Sequence, residues 1–183
     1  VAQMKVTETK GLFTDVELQA VIDYCAKLPM KRNRVTPKDD PDFRSCMVGW
    51  IDMEKDPSVE WMFKKFFPLL FDYPQVNRLE VLQYVTYLPG EYCGWHVDQT
   101  KENDHGGDRI VTSILQLSGP DEFRGGELEI LLKDETFPGA GDERFYTTPK
   151  RKGSVIFFAG DVCHRVTQVT EGVRRALVCW GLK

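Results

Sequence analysis

From Glu80 onward the chain reads as a succession of short extended segments. "VLQYVTYL", "RIVTSILQL", "GELEILL", "ERFYTT", "SVIFFAG", "CHRVTQV" and "RRALVCWGL" are rich in β-branched and aromatic residues and are separated by clusters of Gly, Pro and Asp. No helical stretch intervenes, which points to an antiparallel sandwich or a jelly roll.

The first part of the chain has a different pattern. In "TDVELQAVIDYCAKL", Thr14 followed by Glu17 is a capping box, and Leu18, Val21, Ile22, Cys25 and Leu28 fall on one face of the helix it opens. That stripe predicts packing against a flat partner such as a sheet. "CMVGWIDM" reads as a short strand. Asp56 and Pro57 open a second helical segment through "VEWMFKKFFPLLF", which Pro68 is expected to kink or end. Between helix and strand lies "KRNRVTPKDDPDFRS", too charged and too rich in Pro and Asp for a core; the 31–45 stretch is a solvated loop or a lid. Residues 1–79 are thus expected to be a helical support within the same domain as a β core over 80–183.

Composition narrows the function. At 183 residues and 42% hydrophobic the chain suits one globular domain. A balance of 24 basic to 28 acidic residues argues against a nucleic-acid backbone as the main partner, although "KRNR" and "PKRK" are local basic runs. The five cysteines form no CxxC pair, so they read as reduced thiols rather than a disulfide framework or a thiolate zinc site. There is no apolar run of membrane-spanning length, and "VAQMKVTETK" lacks the apolar core of a signal peptide; a cytoplasmic location is expected.

The stretch "GWHVDQT" carries the chemistry. In an extended segment residues i and i+2 project to one side, so His96 and Asp98 can converge while Val97 turns away. A second imidazole would complete the two-His, one-carboxylate set that suits non-haem iron(II) and leaves positions open. Two histidines remain: His105, in the polar turn "KENDHGGDR", and His164, in the strand-like "DVCHRVTQV". A jelly roll brings distant strands face to face, which favours His164. Ten residues further on, Arg174 stands at the start of an otherwise apolar strand. Facing inward, an arginine needs an anion, and its planar fork suits a carboxylate.

Three segments, "YLPGEYCGWHVD", "RIVTSILQLSGPDEFRGGELEI" and "GSVIFFAGDVCHRVTQVTEGVRRALVCW", together resemble the iron(II)- and 2-oxoglutarate-dependent dioxygenases, most closely the prolyl 4-hydroxylase-like branch with its PKHD-type hydroxylases. The resemblance covers roughly Val81 to Trp180 and implies a double-stranded β-helix core (jelly roll, cupin-like) behind N-terminal helices. It implies that His96, Asp98 and His164 bind iron(II) and that Arg174 binds the distal carboxylate of 2-oxoglutarate. Tyr87 matches a cosubstrate-contacting tyrosine, with Tyr84 as the nearby alternative. Gln116 stands where some relatives have a tyrosine assisting the arginine. Arg109, beside the Gln99–Asp108 loop, is a candidate substrate contact, and both that loop and the 31–45 stretch are candidate lids.

The reaction implied consumes O2 and 2-oxoglutarate, with ascorbate as an optional reductant, and yields succinate, CO2 and a hydroxylated product. Asp98 favours hydroxylation over halogenation, since related halogenases have a small residue there. A peptidyl proline or similar protein side chain is the implied substrate. A free amino acid, a small metabolite or a nucleic acid are alternatives within the class, because fold and metal do not set substrate. The nucleic-acid repair branch carries two arginines six apart, whereas six residues beyond Arg174 lies Trp180. Outside the class stand a zinc hydrolase with the same three ligands and a non-catalytic jelly-roll binding protein. The sequence sets no oligomeric state and calls for no membrane.

Overall fold

A computed structural model describes residues 6–33, 44–99, 107–131 and 145–183. His105, most of the 31–45 stretch and most of the Gln99–Asp108 loop lie outside these residues.

Helix α1 (Asp15–Cys25) begins as its capping box dictates. The Thr14 hydroxyl accepts from the Glu17 backbone N–H at 3.3 Å, and the Glu17 carboxylate accepts from the Thr14 N–H at 2.8 Å. Its apolar stripe buries Leu18, Val21 and Cys25. Asp56 caps a 3-10 turn with Pro57 in its first position, α2 (Glu60–Phe66) follows, and Pro68, lacking an N–H, leaves only a 3-10 continuation to Asp72. Lys65 on α2 reaches Glu17 on α1 at 2.6 Å, tying the two helices together.

The strands are β1 (Thr7–Thr9), β2 (Lys31–Asn33), β3 (Arg44–Ile51), β4 (Arg78–Leu79), β5 (Leu82–Tyr87), β6 (Tyr92–His96) and β7 (Arg109–Gln116). After them come β8 (Phe123–Gly125), β9 (Leu128–Leu131), β10 (Phe145–Thr147), β11 (Val155–Ala159), β12 (His164–Val166), β13 (Val169–Gly172) and β14 (Arg174–Leu182). One curled sheet runs β1-β11-β7-β14-β5-β3-β6-β12-β9-β10, with β2 on β3 and β4 on β14, while β13 and β8 form a separate ribbon. Every recorded pairing is antiparallel.

Strand β3 is shared by the two halves. Met47–Ile51 pair with Thr86–Leu82 on β5, and Arg44–Ser45 pair with Cys93–Tyr92 on β6. The sheet therefore recruits strands from before residue 80, and the N-terminal part supplies more than helices. Because β-strand side chains alternate, the curled sheet has two apolar faces. Leu82, Leu115, Leu177 and Cys179 pack against α1 and α2. Val85, Ile114, Ala176 and Val178 point the other way and share a core with Leu128, Ile130 and Val166 of the opposing half. This is the jelly roll expected from the strand pattern, and the space between its halves holds the site.

Candidate metal centre

His96 ends β6, His164 begins β12, and the register sets them directly opposite each other. Their ring centroids are 4.2 Å apart. Asp98 lies just past β6, where its backbone N–H and that of Gln99 donate to the Gly160 carbonyl at 3.0 and 2.8 Å. Gly160 must be glycine for this approach, since a Cβ there would stand 2.2 Å from the Arg109 carbonyl oxygen. One ligand atom each from His96, Asp98 and His164 can be chosen so that all three lie within 4.8 Å of one another.

The neighbours of these side chains fix their chemical state. His96 Nδ1 is 2.8 Å from the Gly94 carbonyl, and His164 Nδ1 is 3.0 Å from that of Val162. A carbonyl can only accept, so each Nδ1 donates to it, and in the neutral ring the lone pair then lies on Nε2, facing the cavity side. Those two Nε2 atoms lie 3.7 and 3.5 Å from the Asp98 oxygens. Burial, and after it the His164 ring, push His96 down to about 4, so its imidazole is neutral near pH 7. For Asp98, burial opposes the charge, but the two imidazoles, the Thr112 hydroxyl and the Trp180 indole outweigh it and lower the carboxyl to about 2. Thr112 Oγ1 on β7 donates to Asp98 Oδ2 at 2.7 Å. Trp180 Nε1 approaches the same carboxylate without hydrogen-bond geometry and is a buried donor left without a partner among the described residues.

Two lone-pair nitrogens, one buried carboxylate and a hydrogen bond behind that carboxylate are the donor set of a two-His, one-carboxylate iron(II) site. The residues also fit an organic dianion. Arg174 is 2% exposed, lines the cavity that holds the three ligands, and has no carboxylate partner among the described residues. Its guanidinium sits 5.5 Å from the centre of the Tyr87 ring, the residue facing it on β5. Gly126, at φ +63°, makes room for it: a Cβ there would lie 3.2 Å from Arg174 Cδ.

The other candidates fall elsewhere. Tyr84, one residue out of phase with Val85 and Tyr87, belongs to the helix-side core, so Tyr87 and not Tyr84 stands on the cavity side. The Gln116 amide donates to the Ser118 carbonyl at 3.0 Å, and its side chain does not line the cavity. Arg109 makes a two-pronged pair with Glu80, at 2.7 and 2.8 Å, and stacks on Trp180 with 3.7 Å from guanidinium carbon to ring centre. The basic run near residue 150 is neutralised within the chain: Lys150 pairs with Glu127, Arg151 with Glu8 and Lys152 with Glu122. Arg44 and Gln83 also line the cavity, and Trp50 packs 6.4 Å from Trp180; the motif reading passed over all three.

A jelly roll with this triad and a buried arginine beside it defines the class of 2-oxoglutarate-type iron oxygenase sites. Residues 82–181 match the family model of the 2OG-Fe(II) oxygenase superfamily, and the chain belongs to that family. It is similar to a PKHD-type hydroxylase of Shewanella sp. (strain ANA-3), 30% identical over 82% of this chain. The chain spans 59% of that relative's length. In fold it is similar to a Pseudomonas putida prolyl-4-hydroxylase, with TM-score 0.70, 17% identity, and coverage of 100% of this chain and 94% of that one. It is also similar to a viral collagen prolyl hydroxylase from Paramecium Bursaria Chlorella virus-1 in complex with 2OG, with TM-score 0.68, 20% identity, and coverage of 96% and 94%.

Proposed function

We propose that this protein is an iron(II)- and 2-oxoglutarate-dependent dioxygenase that hydroxylates an unactivated C–H bond, that of a prolyl residue in a peptide or protein. The observation that carries the reading is Arg174, a buried cation without a counter-ion among the described residues, opening onto the same cavity as His96, Asp98 and His164. A zinc hydrolase has no need of it.

In this reading His96, Asp98 and His164 hold iron, and Arg174 receives the distal carboxylate of 2-oxoglutarate, with Tyr87 packed alongside. When bound, iron(II) and 2-oxoglutarate activate O2, one oxygen atom entering the substrate C–H bond and the other ending in succinate as CO2 leaves. The chain supplies position and environment. Thr112 keeps the Asp98 carboxylate oriented, the Gly94 and Val162 carbonyls keep both imidazoles in the ligating tautomer, and Val85, Ile114, Leu128 and Ala176 give the cavity its apolar walls.

The prolyl substrate is supported by the similar structures named as prolyl hydroxylases. A cytoplasmic location is supported by five free cysteines; none of the described helices is long and apolar enough to cross a membrane.

The test is an anaerobic titration of the apo protein with iron(II) and then 2-oxoglutarate, following the weak visible charge-transfer band of the chelate. The band should form in the wild type and be absent in His96→Ala and Arg174→Gln at matched concentrations. A peptide panel scored for coupled succinate then identifies the substrate. A wild type that binds iron and cosubstrate no better than His96→Ala overturns the reading.

A further inference from the structure

The buried carboxylates of the described chain are almost all matched to a cation. Glu80 pairs with Arg109 at 2.7 Å, Glu91 with Arg32 at 2.6 Å and Glu129 with Arg165 at 2.6 Å. Asp98 belongs to the metal triad. Two arginines that line the metal cavity, Arg174 and Arg44, make no such pair among the described residues.

Arg44 opens β3 at its pairing with Cys93 of β6, so its side chain enters the cavity from the seam between the two halves of the sheet. Its Nε donates to the Cys46 thiol at 3.1 Å, and one terminal nitrogen donates to Gln83 Oε1 at 3.2 Å. Both acceptors are neutral. A guanidinium carries five N–H donors and rarely sits among apolar walls without an anion. Gln83 is placed to hold the fork in position, because an amide oxygen can orient it without neutralising it.

Formal charges show what is missing. Iron(II), Asp98 and dianionic 2-oxoglutarate together carry one negative charge, which Arg174 cancels. Among the described residues Arg44 then stands as one positive charge in excess at the cavity wall, where an unpaired ion is costly.

Building on the dioxygenase reading above, we propose that Arg44 is the substrate-side anchor: it receives a carboxylate of the molecule to be hydroxylated, with Gln83 positioning the guanidinium. The carboxylate comes from a free imino or amino acid, or from an acidic residue next to the target in a peptide. Both sources present the same planar, two-oxygen group to the same fork.

The experiment loads the whole chain anaerobically with iron(II) and 2-oxoglutarate and titrates paired probes, reading the shift of the charge-transfer band. The pairs are acetate and acetamide, L-proline and L-prolinamide, and the amides of acetyl-Pro-Glu and acetyl-Pro-Gln. In the wild type at least one carboxylate should bind about tenfold or more tightly than its uncharged partner, the margin of a charge-assisted hydrogen bond. That ratio should fall to about one in Arg44→Gln and be partly kept in Arg44→Lys, which retains charge but not the fork. Preference for L-proline or for the acidic dipeptide tells which source applies.

The 2-oxoglutarate midpoint should rise in Arg174→Gln and not in Arg44→Gln. An equal rise in both variants would assign Arg44 to the cosubstrate and overturn the proposal, as would a wild type that forms the band but distinguishes no carboxylate from its amide. If Arg44→Gln loses the iron titration itself, Arg44→Lys decides: a ratio unchanged from wild type shows that the fork is not used. A wild type that forms no band overturns the dioxygenase reading, and the Arg44 proposal with it.

Discussion

Thr112 on β7 and Asp98 beyond β6 are joined by a 2.7 Å hydrogen bond that crosses between the two halves of the sheet. It ties a side chain of the helix-backed half to a member of the triad. Thr112→Val keeps the shape and removes the donor, leaving a buried carboxylate oxygen unsatisfied at a cost of about 1–3 kcal/mol. Iron(II) affinity should fall about 10–100-fold, the range for losing a group that orients a ligand. Isothermal titration of the apo variant measures it, and an unchanged affinity would mean that the carboxylate is held by other means.

Acid should destabilise the apo protein in a defined window. Burial moves His96 from its ordinary 6.5 to about 4 in the folded state. Between those values the unfolded chain binds a proton that the folded chain refuses, so stability rises with pH across the window and is lost on acidification. The loss from this group is on the order of 2–3 kcal/mol by pH 4. Asp98, lowered from 3.8 to about 2, adds a loss of the same sign below that. Chemical denaturation of the wild type and of His96→Phe at pH 7 and pH 4.5 should show the steeper fall in the wild type.

Arg109 and Glu80 form a nearly buried pair, with side-chain exposures of 11% and 7%. Removing one partner strands the other, so Arg109→Met should cost about 3–5 kcal/mol, and the double variant Arg109→Met/Glu80→Met should recover much of it. Melting curves of the four members of the cycle test this. Because Arg109 also stacks on Trp180, any effect on substrate should appear through that indole: Trp180→Phe and Arg109→Met should then be non-additive in KM.

Gly126→Ala introduces a Cβ 2.8 Å from Val169 Cγ2 and 3.2 Å from Arg174 Cδ at a backbone angle of φ +63°. The strain should cost about 1–3 kcal/mol. Displacement of Arg174 should raise the 2-oxoglutarate midpoint while leaving the iron midpoint near the wild-type value. A variant that loses stability but keeps its cosubstrate midpoint would show that the turn and the arginine move independently.

Much of the centre could be read from the sequence because period-two alternation is local. His96 with Asp98 follows from it, while His164 rests on its strand-like run and both His164 and Arg174 on the family resemblance. The same alternation separates Tyr87 from Tyr84 once Val85 is known to face inward, but which parity faces inward depends on where the helices pack. Arg44 was hidden for another reason. It follows a charged, proline-rich stretch and looks like part of it; only the pairing of β3 with β6, set by contacts some fifty residues apart in the chain, turns it into the cavity. The pairing of Arg109 with Glu80 is also non-local, so the ion pair could not be read from the loop beside the arginine.

The sharing of β3 between the two halves has a thermodynamic consequence. With Met47–Ile51 laced into one half and Arg44–Ser45 into the other, pulling the halves apart and unlacing this strand are one event. Histidines from one half and Arg174 from the other bound the same space, so whatever fills it is clamped by the element that closes the barrel. Each occupant then stabilises the whole chain by its mass-action term, about 2.7 kcal/mol at a hundred times its dissociation constant. The melting temperature of this protein is therefore a direct gauge of what its cavity holds.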